Sequence, residues 1–190
     1  QTCALPILLR QVSRRLTAMS NISDRFYRLG GDEFAFLASG LNESEAVLRA
    51  REISENISKP YTINNQLIKI ATCVGIVLSD NERRADYLYK FADLALYEAK
   101  KAGSQQIKVF RQRMLQKLQE SRTLENDMAR AIENNEFIVY YQPIVNSVSK
   151  EIYGYEALIR WMHPVKGMLS PDSFIFAAEK TGMINEIRSE

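Results

Sequence analysis

The sequence is poor in the residues that build covalent or metal-based scaffolds. It has two cysteines, Cys3 and Cys73, and one histidine, His163, among 190 residues. Two cysteines give neither the spacing of a zinc site nor a disulfide framework, and one histidine is a poor metal site. We therefore expect a protein of a reducing, cytoplasmic compartment, without structural disulfides.

Excess charge and long apolar runs are also lacking. Lys and Arg number 25 against 23 Asp and Glu, a formal net charge of +2. That excess is too small to indicate nucleic acid or an anionic membrane as a partner. No apolar run approaches the roughly 20 residues that span a bilayer, so we expect no membrane contact from this segment.

The first seven residues are set apart from the rest. Gln1–Ile7 resembles the in-frame translation of a sequencing-library adapter, and the chain does not begin with Met. Such a stretch is treated as an artefact and excluded from fold reasoning. We expect a fragment whose natural N-terminus is missing.

A pair of glycines followed by two carboxylates is the most informative local pattern. Gly30 and Gly31 precede Asp32 and Glu33, between two short extended runs, which predicts a β-hairpin. Glycine allows a bulky ligand to approach the backbone, and adjacent carboxylates can bind Mg²⁺. This pattern alone leaves open a nucleotide–metal site or an ordinary hairpin turn.

Helical and strand patterns alternate along the chain and predict an α/β fold, with helices against a mixed sheet. The predicted helices cover residues 8–19, 41–58, 87–102 and 111–135, and another opens at Pro171. The predicted strands cover 61–63, 66–78, 107–110, 137–141 (stopped by Pro143) and 152–161.

The last of these strands carries a second candidate site. Glu156, Leu158 and Arg160 are two residues apart, so they share one face of a strand. A carboxylate and a guanidinium on one face could hold a metal and a phosphodiester. A cross-strand ion pair or solvent-facing charges would explain the same pattern.

Two families account for these motifs. Gly30-Gly31-Asp32-Glu33-Phe34, with Arg28 two positions earlier, resembles the signature of the GGDEF family, the diguanylate cyclases. The stretch 154–161 resembles the signature strand of the EAL family, the cyclic-di-GMP phosphodiesterases. The resemblance implies a tandem GGDEF–EAL protein truncated at both ends.

The implied fold class is α/β: a partial palm-like (nucleotidyl-cyclase-like) GGDEF domain, a linker helix, and the opening part of a TIM-type EAL barrel. The implied ranges are 8–110 for the GGDEF part, 111–135 for the linker helix and 136–190 for the EAL part. The linker is either a plain spacer or a signalling helix.

The first resemblance implies condensation of two GTP molecules to cyclic di-GMP with Mg²⁺. Asp32 would be a catalytic metal ligand. Glu33 would also be catalytic, because it would support the charge of the transition state or the geometry of the metal. Gly30 and Gly31 would let GTP approach, and Lys100 would contact its phosphates. By itself, Lys100 is more simply a solvated helix lysine.

Three departures from the family pattern are visible. Ser104 stands where the family often has an arginine, which removes a phosphate partner. The family's product-inhibition motif is Arg-x-x-Asp, but here Asn21 precedes Asp24, and an amide cannot replace a guanidinium. We expect no feedback inhibition there. The family's opening strand, with its second metal-binding aspartate, is missing.

The second resemblance implies hydrolysis of cyclic di-GMP to linear pGpG with Mg²⁺ or Mn²⁺. Glu156 would be a catalytic metal ligand, Arg160 would bind a phosphate, and Gln142 would face the ligand. His163 also matches a pattern of the family, and we expect it to serve loop packing rather than catalysis, because one isolated histidine is a poor metal site.

Together these resemblances imply a bacterial protein of second-messenger signal transduction. The full-length parent would turn over cyclic di-GMP, as a homodimer at the GGDEF site, and upstream segments could tether it to the inner membrane. The 190-residue fragment itself is expected to be inactive. The alternative is a module that senses GTP or cyclic di-GMP without catalysis.

Overall fold

The computed structural model describes residues 4–21, 24–79 and 84–187. The chain divides into two compact units, one ending at Leu115 and the other beginning at Gln116. In the part of the chain that is described, no helix has both the length and the apolar character needed to cross a membrane. Cys3 and the middle of the Asn21–Asp24 motif lie outside the described residues.

The first unit alternates helices and strands, as the sequence predicts. Its elements are α1 (Ala4–Ala18), β1 (Arg25–Gly30), β2 (Glu33–Leu37), α2 (Glu43–Ser58), β3 (Tyr61–Ile63), β4 (Gln66–Ile68), β5 (Val74–Ile76), α3 (Ala85–Lys101) and β6 (Ile107–Val109). The pairs β1–β2 and β3–β4 are antiparallel, and β5–β6 is parallel.

Three details of this unit differ from the sequence-based expectation. Helix α1 begins at Ala4, four residues before the predicted start at residue 8. The strand expected over 66–78 is two short strands, because Gln66–Ile68 pairs with β3 and Val74–Ile76 pairs with β6. Among the described residues, the strands form three separate pairs rather than one mixed sheet.

The core of the first unit joins α1, α2 and β3. Its buried residues are Val12, Leu16, Ile53, Ile57, Tyr61 and Ile63. The guanidinium of Arg15 lies 3.7 Å from the ring centroid of Tyr61 and donates to the carbonyl oxygen of Asn56 at 3.1 Å. Arg15 therefore satisfies a carbonyl at the C-terminal end of α2 and fastens α1 to it. Burial raises the pKa of the Tyr61 hydroxyl, against the lowering effect of Arg15.

The second unit contains an antiparallel sheet covered by helices. Helix α4 (Gln112–Glu133) leads into β7 (Phe137–Val145), β8 (Ile152–His163) and β9 (Gly167–Leu169). A 3-10 turn (Pro171–Ser173), α5 (Ile175–Thr181) and α6 (Ile184–Ile187) follow. The buried core is Met128, Ala131, Phe137, Trp161, Phe174, Ala178 and Ile187.

The expectations for this unit need three corrections. Strand β7 is not stopped by Pro143 but continues to Val145. In the described sheet β7 lies at an edge, where a residue without an N–H is tolerated. The helix expected from Pro171 is divided between the 3-10 turn and α5, and β9 and α6 were not predicted.

Candidate functional site

The first candidate site is the turn that joins β1 to β2. Gly31 and Asp32 connect the strands, and Gly30 pairs with Glu33. Gly31 has a φ of +50°, a region that favours glycine. A Cβ built at Gly30 or Gly31 would meet no heavy atom within 4 Å, so open space surrounds both glycines. A large ligand can therefore approach this backbone closely.

An arginine holds the shape of this turn. The Nε and Nη2 atoms of Arg28 donate to the carbonyl oxygen of Gly31 at 3.1 and 2.8 Å. The strand register shifts between Arg28 and Gly30, leaving Leu29 as an extra residue on β1. The sequence marked Arg28 only by its place before the glycines, and its contact with Gly31 was not predicted.

A lysine from α3 reaches the same hairpin. The Nζ atom of Lys100 lies 3.4 Å from Oε1 of Glu33, and their side chains are 57% and 44% exposed. An ion pair so exposed contributes little to stability, so either partner can exchange it for a ligand. The structure thus brings together Glu33 and Lys100, which are 67 residues apart in sequence.

The carboxylates of the turn suit a magnesium–nucleotide complex better than a protein-enclosed metal. Asp32 is exposed at the turn and Glu33 follows it in β2. Among the described residues, no group of three or more Asp, Glu, His or Cys side chains could hold a metal ion. Mg²⁺ commonly binds through one or two carboxylates, with waters and substrate phosphates completing its shell. Asp32 and Glu33 fit that mode.

Asp24 has internal partners and is buried. Its Oδ2 atom accepts hydrogen bonds from Nη2 of Arg49 at 3.1 Å and from the backbone N–H of Asn21 at 3.0 Å. Arg49 also donates to the carbonyl of Met19 and to Glu52. Asp24 therefore fastens the segment before β1 to α2.

The second candidate site lies on one face of the β7–β8 ladder. Gln142 is directly opposite Glu156, and Ile138 is directly opposite Arg160. Because side chains alternate along a strand, Gln142, Glu156 and Arg160 share a face. The cross-strand neighbour of Glu156 is an amide, so the ladder does not form the cross-strand ion pair considered above.

The polar groups of this face differ in accessibility. Gln142 and Glu156 are exposed, whereas Arg160 is half-buried. The Nη1 atom of Arg160 donates to the carbonyl oxygen of Ile159 at 2.8 Å. An exposed carboxylate, an amide and a guanidinium can together bind a cation and an anionic oxygen.

His163, at the end of β8, has a packing role. Its Nδ1 atom accepts from the N–H groups of Val165 at 3.1 Å and Lys166 at 3.2 Å. Its Nε2 atom lies 3.4 Å from Oδ2 of Asp127 in α4. Burial would raise the pKa of Asp127, but hydrogen bonds from Arg130 and His163 and the nearby charge of Lys166 hold it below its ordinary value.

Two family models match this chain. Residues 7–106, more than half of the chain, match the family model described as "Diguanylate cyclase, GGDEF domain". The chain belongs to the GGDEF family. Residues 125–189 match the EAL domain model, so GGDEF and EAL sequences follow each other on this chain.

Curated relatives match nearly the whole of this chain. The bifunctional diguanylate cyclase/cyclic di-GMP phosphodiesterase MucR of Pseudomonas aeruginosa is 35% identical over 95% of this chain and 27% of its own length. The cyclic di-GMP phosphodiesterase PdeR of Escherichia coli is 33% identical over 93% of this chain and 27% of its own length. The GGDEF–EAL chain thus spans about a quarter of these relatives.

Solved structures match the first unit. The GGDEF domain of YfiN (TpbB) from P. aeruginosa aligns with a TM-score of 0.54 and 26% identity, covering 58% of this chain and 70% of that chain. An EAL/GGDEF domain protein from M. capsulatus aligns with a TM-score of 0.51 and 28% identity, covering 56% and 70%. The GGDEF fold expected from sequence is confirmed.

Proposed function

We propose that the full protein containing this chain turns over cyclic di-GMP. It would condense GTP at the GGDEF hairpin, hydrolyse cyclic di-GMP to pGpG at the EAL strands, or do both. The observation that carries this proposal is the pairing of two motifs on one chain. An open Gly-Gly turn with Asp32, Glu33 and Lys100 is followed by a strand face that carries Glu156 and Arg160.

At the hairpin, Asp32 and Glu33 would hold Mg²⁺, which neutralises the triphosphate and activates the attacking ribose hydroxyl. Gly30 and Gly31 leave room for GTP beside the backbone. Lys100 exchanges its exposed contact with Glu33 for the phosphates of GTP. The product contains two guanylate units, so we propose that two copies of the protein face each other during condensation.

At the strand face, Glu156 would hold Mg²⁺ or Mn²⁺, which supplies an activated water for phosphodiester cleavage. Arg160 binds a phosphate of cyclic di-GMP through its charged N–H groups. Gln142 lies opposite Glu156 and offers both an amide donor and an acceptor to the same ligand. Within the chain we assign 8–110 to the GGDEF part, 111–135 to the linker and 136–190 to the EAL part.

A second candidate function is non-catalytic sensing of GTP or cyclic di-GMP. Ser104 favours it for the GGDEF part, since a serine lacks the charge with which an arginine would bind a phosphate. Feedback inhibition through Asn21 and Asp24 is not expected, because Asn21 lacks a charged guanidinium and Asp24 already forms an ion pair with Arg49. We therefore propose that product does not regulate the protein through Asp24.

Variants in the full reading frame test these proposals. The purified protein is incubated with GTP and Mg²⁺, and separately with cyclic di-GMP and Mn²⁺. Asp32→Ala should abolish cyclic di-GMP formation alone, and Glu156→Ala should abolish pGpG formation alone. Asp93→Ala and Glu179→Ala, exposed carboxylates of α3 and α5, are matched controls.

The outcomes separate the candidate functions. Ligand binding without any turnover would support sensing. Turnover that survives both Asp32→Ala and Glu156→Ala would contradict the assignment of the two sites.

A further inference from the structure

An exposed tyrosine lies in the middle of the β7–β8 face that carries Gln142, Glu156 and Arg160. Tyr140 pairs directly with Leu158, between the pairs Gln142–Glu156 and Ile138–Arg160. Tyr140 is 47% exposed. It therefore shares a face with all three polar residues assigned above to cyclic di-GMP binding.

The register also sets the spacing around Tyr140. In an antiparallel ladder, the diagonal neighbours of a residue lie about 7–8 Å away, which long and aromatic side chains can span. The diagonal neighbours of Tyr140 across the ladder are Glu156 and Arg160. An aromatic ring thus lies between the predicted metal ligand and the predicted phosphate ligand.

The chemistry of the ligand fits a ring at this position. A cyclic dinucleotide presents purine bases next to the phosphates that Arg160 would bind. Aromatic side chains bind bases by stacking on their π-faces, and Leu158 beside Tyr140 is half-buried and apolar. A phosphate bound by Arg160 and a metal bound by Glu156 would bring a base within reach of this ring.

We infer that Tyr140 is a further ligand-contacting residue of the EAL-type site and stacks on a purine base of cyclic di-GMP. This inference rests on the proposed function of the same face. It adds an aromatic ring that stacks on a base to the polar side chains of Gln142, Glu156 and Arg160 assigned above to the same ligand.

The neighbouring residue provides a matched control. Tyr141 lies on the same strand, is 69% exposed and pairs with Ala157. Because successive side chains point to opposite faces of a strand, Tyr141 lies on the face opposite Glu156 and Arg160. A general effect of losing a tyrosine from β7 would appear equally at both positions, whereas base stacking would appear only at Tyr140.

The test is calorimetric titration of cyclic di-GMP into the full reading frame without divalent cations, so that the ligand is not consumed. Tyr140→Leu should raise Kd about tenfold, within the range of loss of one stacked base. Tyr140→Phe retains the ring and should stay within about twofold of the parent, as should Tyr141→Leu. Circular dichroism and thermal unfolding establish that each variant is folded.

Each result has a distinct meaning. An unchanged Kd for Tyr140→Leu overturns the inference. If Tyr140→Phe and Tyr140→Leu lose the same affinity for cyclic di-GMP, the hydroxyl rather than the ring makes the contact, and stacking is overturned. Equal losses in Tyr140→Leu and Tyr141→Leu also overturn it. Arg160→Ala distinguishes a failure of the inference about Tyr140 from a failure of the proposed function. If Arg160→Ala binds like the parent the proposed function fails, and if it loses binding while Tyr140→Leu does not, only the inference about Tyr140 fails.

Discussion

The buried ion pair between Asp24 and Arg49 should couple the start of the hairpin to α2 strongly enough to measure. The side chains are 6% and 18% exposed, and their closest N–O distance is 3.1 Å. Removing one member of such a pair leaves the other charge buried without its partner, which costs about 3–5 kcal/mol. Arg49→Met keeps the apolar length of the side chain and removes its charge.

Arg49→Met should therefore lower the free energy of unfolding by about 3 kcal/mol, since Asp24 would retain the N–H of Asn21. Asp24→Ala should cost about 2 kcal/mol, because Arg49 can still reach Met19 and Glu52. The double variant should cost less than the sum of these losses by about 2 kcal/mol.

Urea unfolding at pH 7, followed by circular dichroism, measures the free energy of unfolding of the parent, the two single variants and the double variant. The control is the i,i+3 pair of Lys101 and Glu98, whose side chains are 49% and 34% exposed. Its coupling should be below about 0.5 kcal/mol. If the free-energy losses of the two single variants of Asp24 and Arg49 sum to the loss of the double variant within about 0.3 kcal/mol, the pair does not couple the start of the hairpin to α2.

Two further predictions concern packing and pH. Gly75→Ala should destabilise the first unit by more than about 3 kcal/mol, because a Cβ there would lie 2.3 Å from both Ala92 O and Leu96 N, which are backbone atoms of α3. Gly154→Ala, where a Cβ meets nothing within 4 Å, should unfold in the same thermal scan with little change. Asp127 has a lowered pKa in the folded chain, so its contribution to stability is present above its unfolded value of about 3.9 and is lost as pH falls below it. Asp127→Asn should reduce the slope of unfolding free energy against pH in that acid range, and an unchanged slope would contradict the assigned contacts.

Local signals in the sequence predicted several elements correctly. Asn42 caps α2 in a capping box with Glu45, at the start of the helix predicted over residues 41–58. Asn64 and Asn65, between the predicted strands 61–63 and 66–78, form a turn with φ values of 50° and 62°. In both places the residues that determine the conformation lie within three positions of each other in sequence.

Features that depend on distant partners were not predictable in this way. The break between β4 and β5 follows from two different partner strands, and the passage of β7 through Pro143 follows from its place at a sheet edge. The family resemblance implied roles for Glu33 and Lys100, but their contact joins residues 67 positions apart in sequence. The pairing of Gln142 with Glu156 needed the strand register.

In the function proposed above, the hairpin and the strand face act on one signalling nucleotide. A single time course from GTP in the full reading frame, with Mg²⁺ and Mn²⁺ present and products identified by mass spectrometry, tests it most directly. We predict that cyclic di-GMP appears first and pGpG follows, and that Glu156→Ala leaves cyclic di-GMP as the end product. GTP that remains unchanged, together with added cyclic di-GMP that is neither bound nor hydrolysed, would contradict the account.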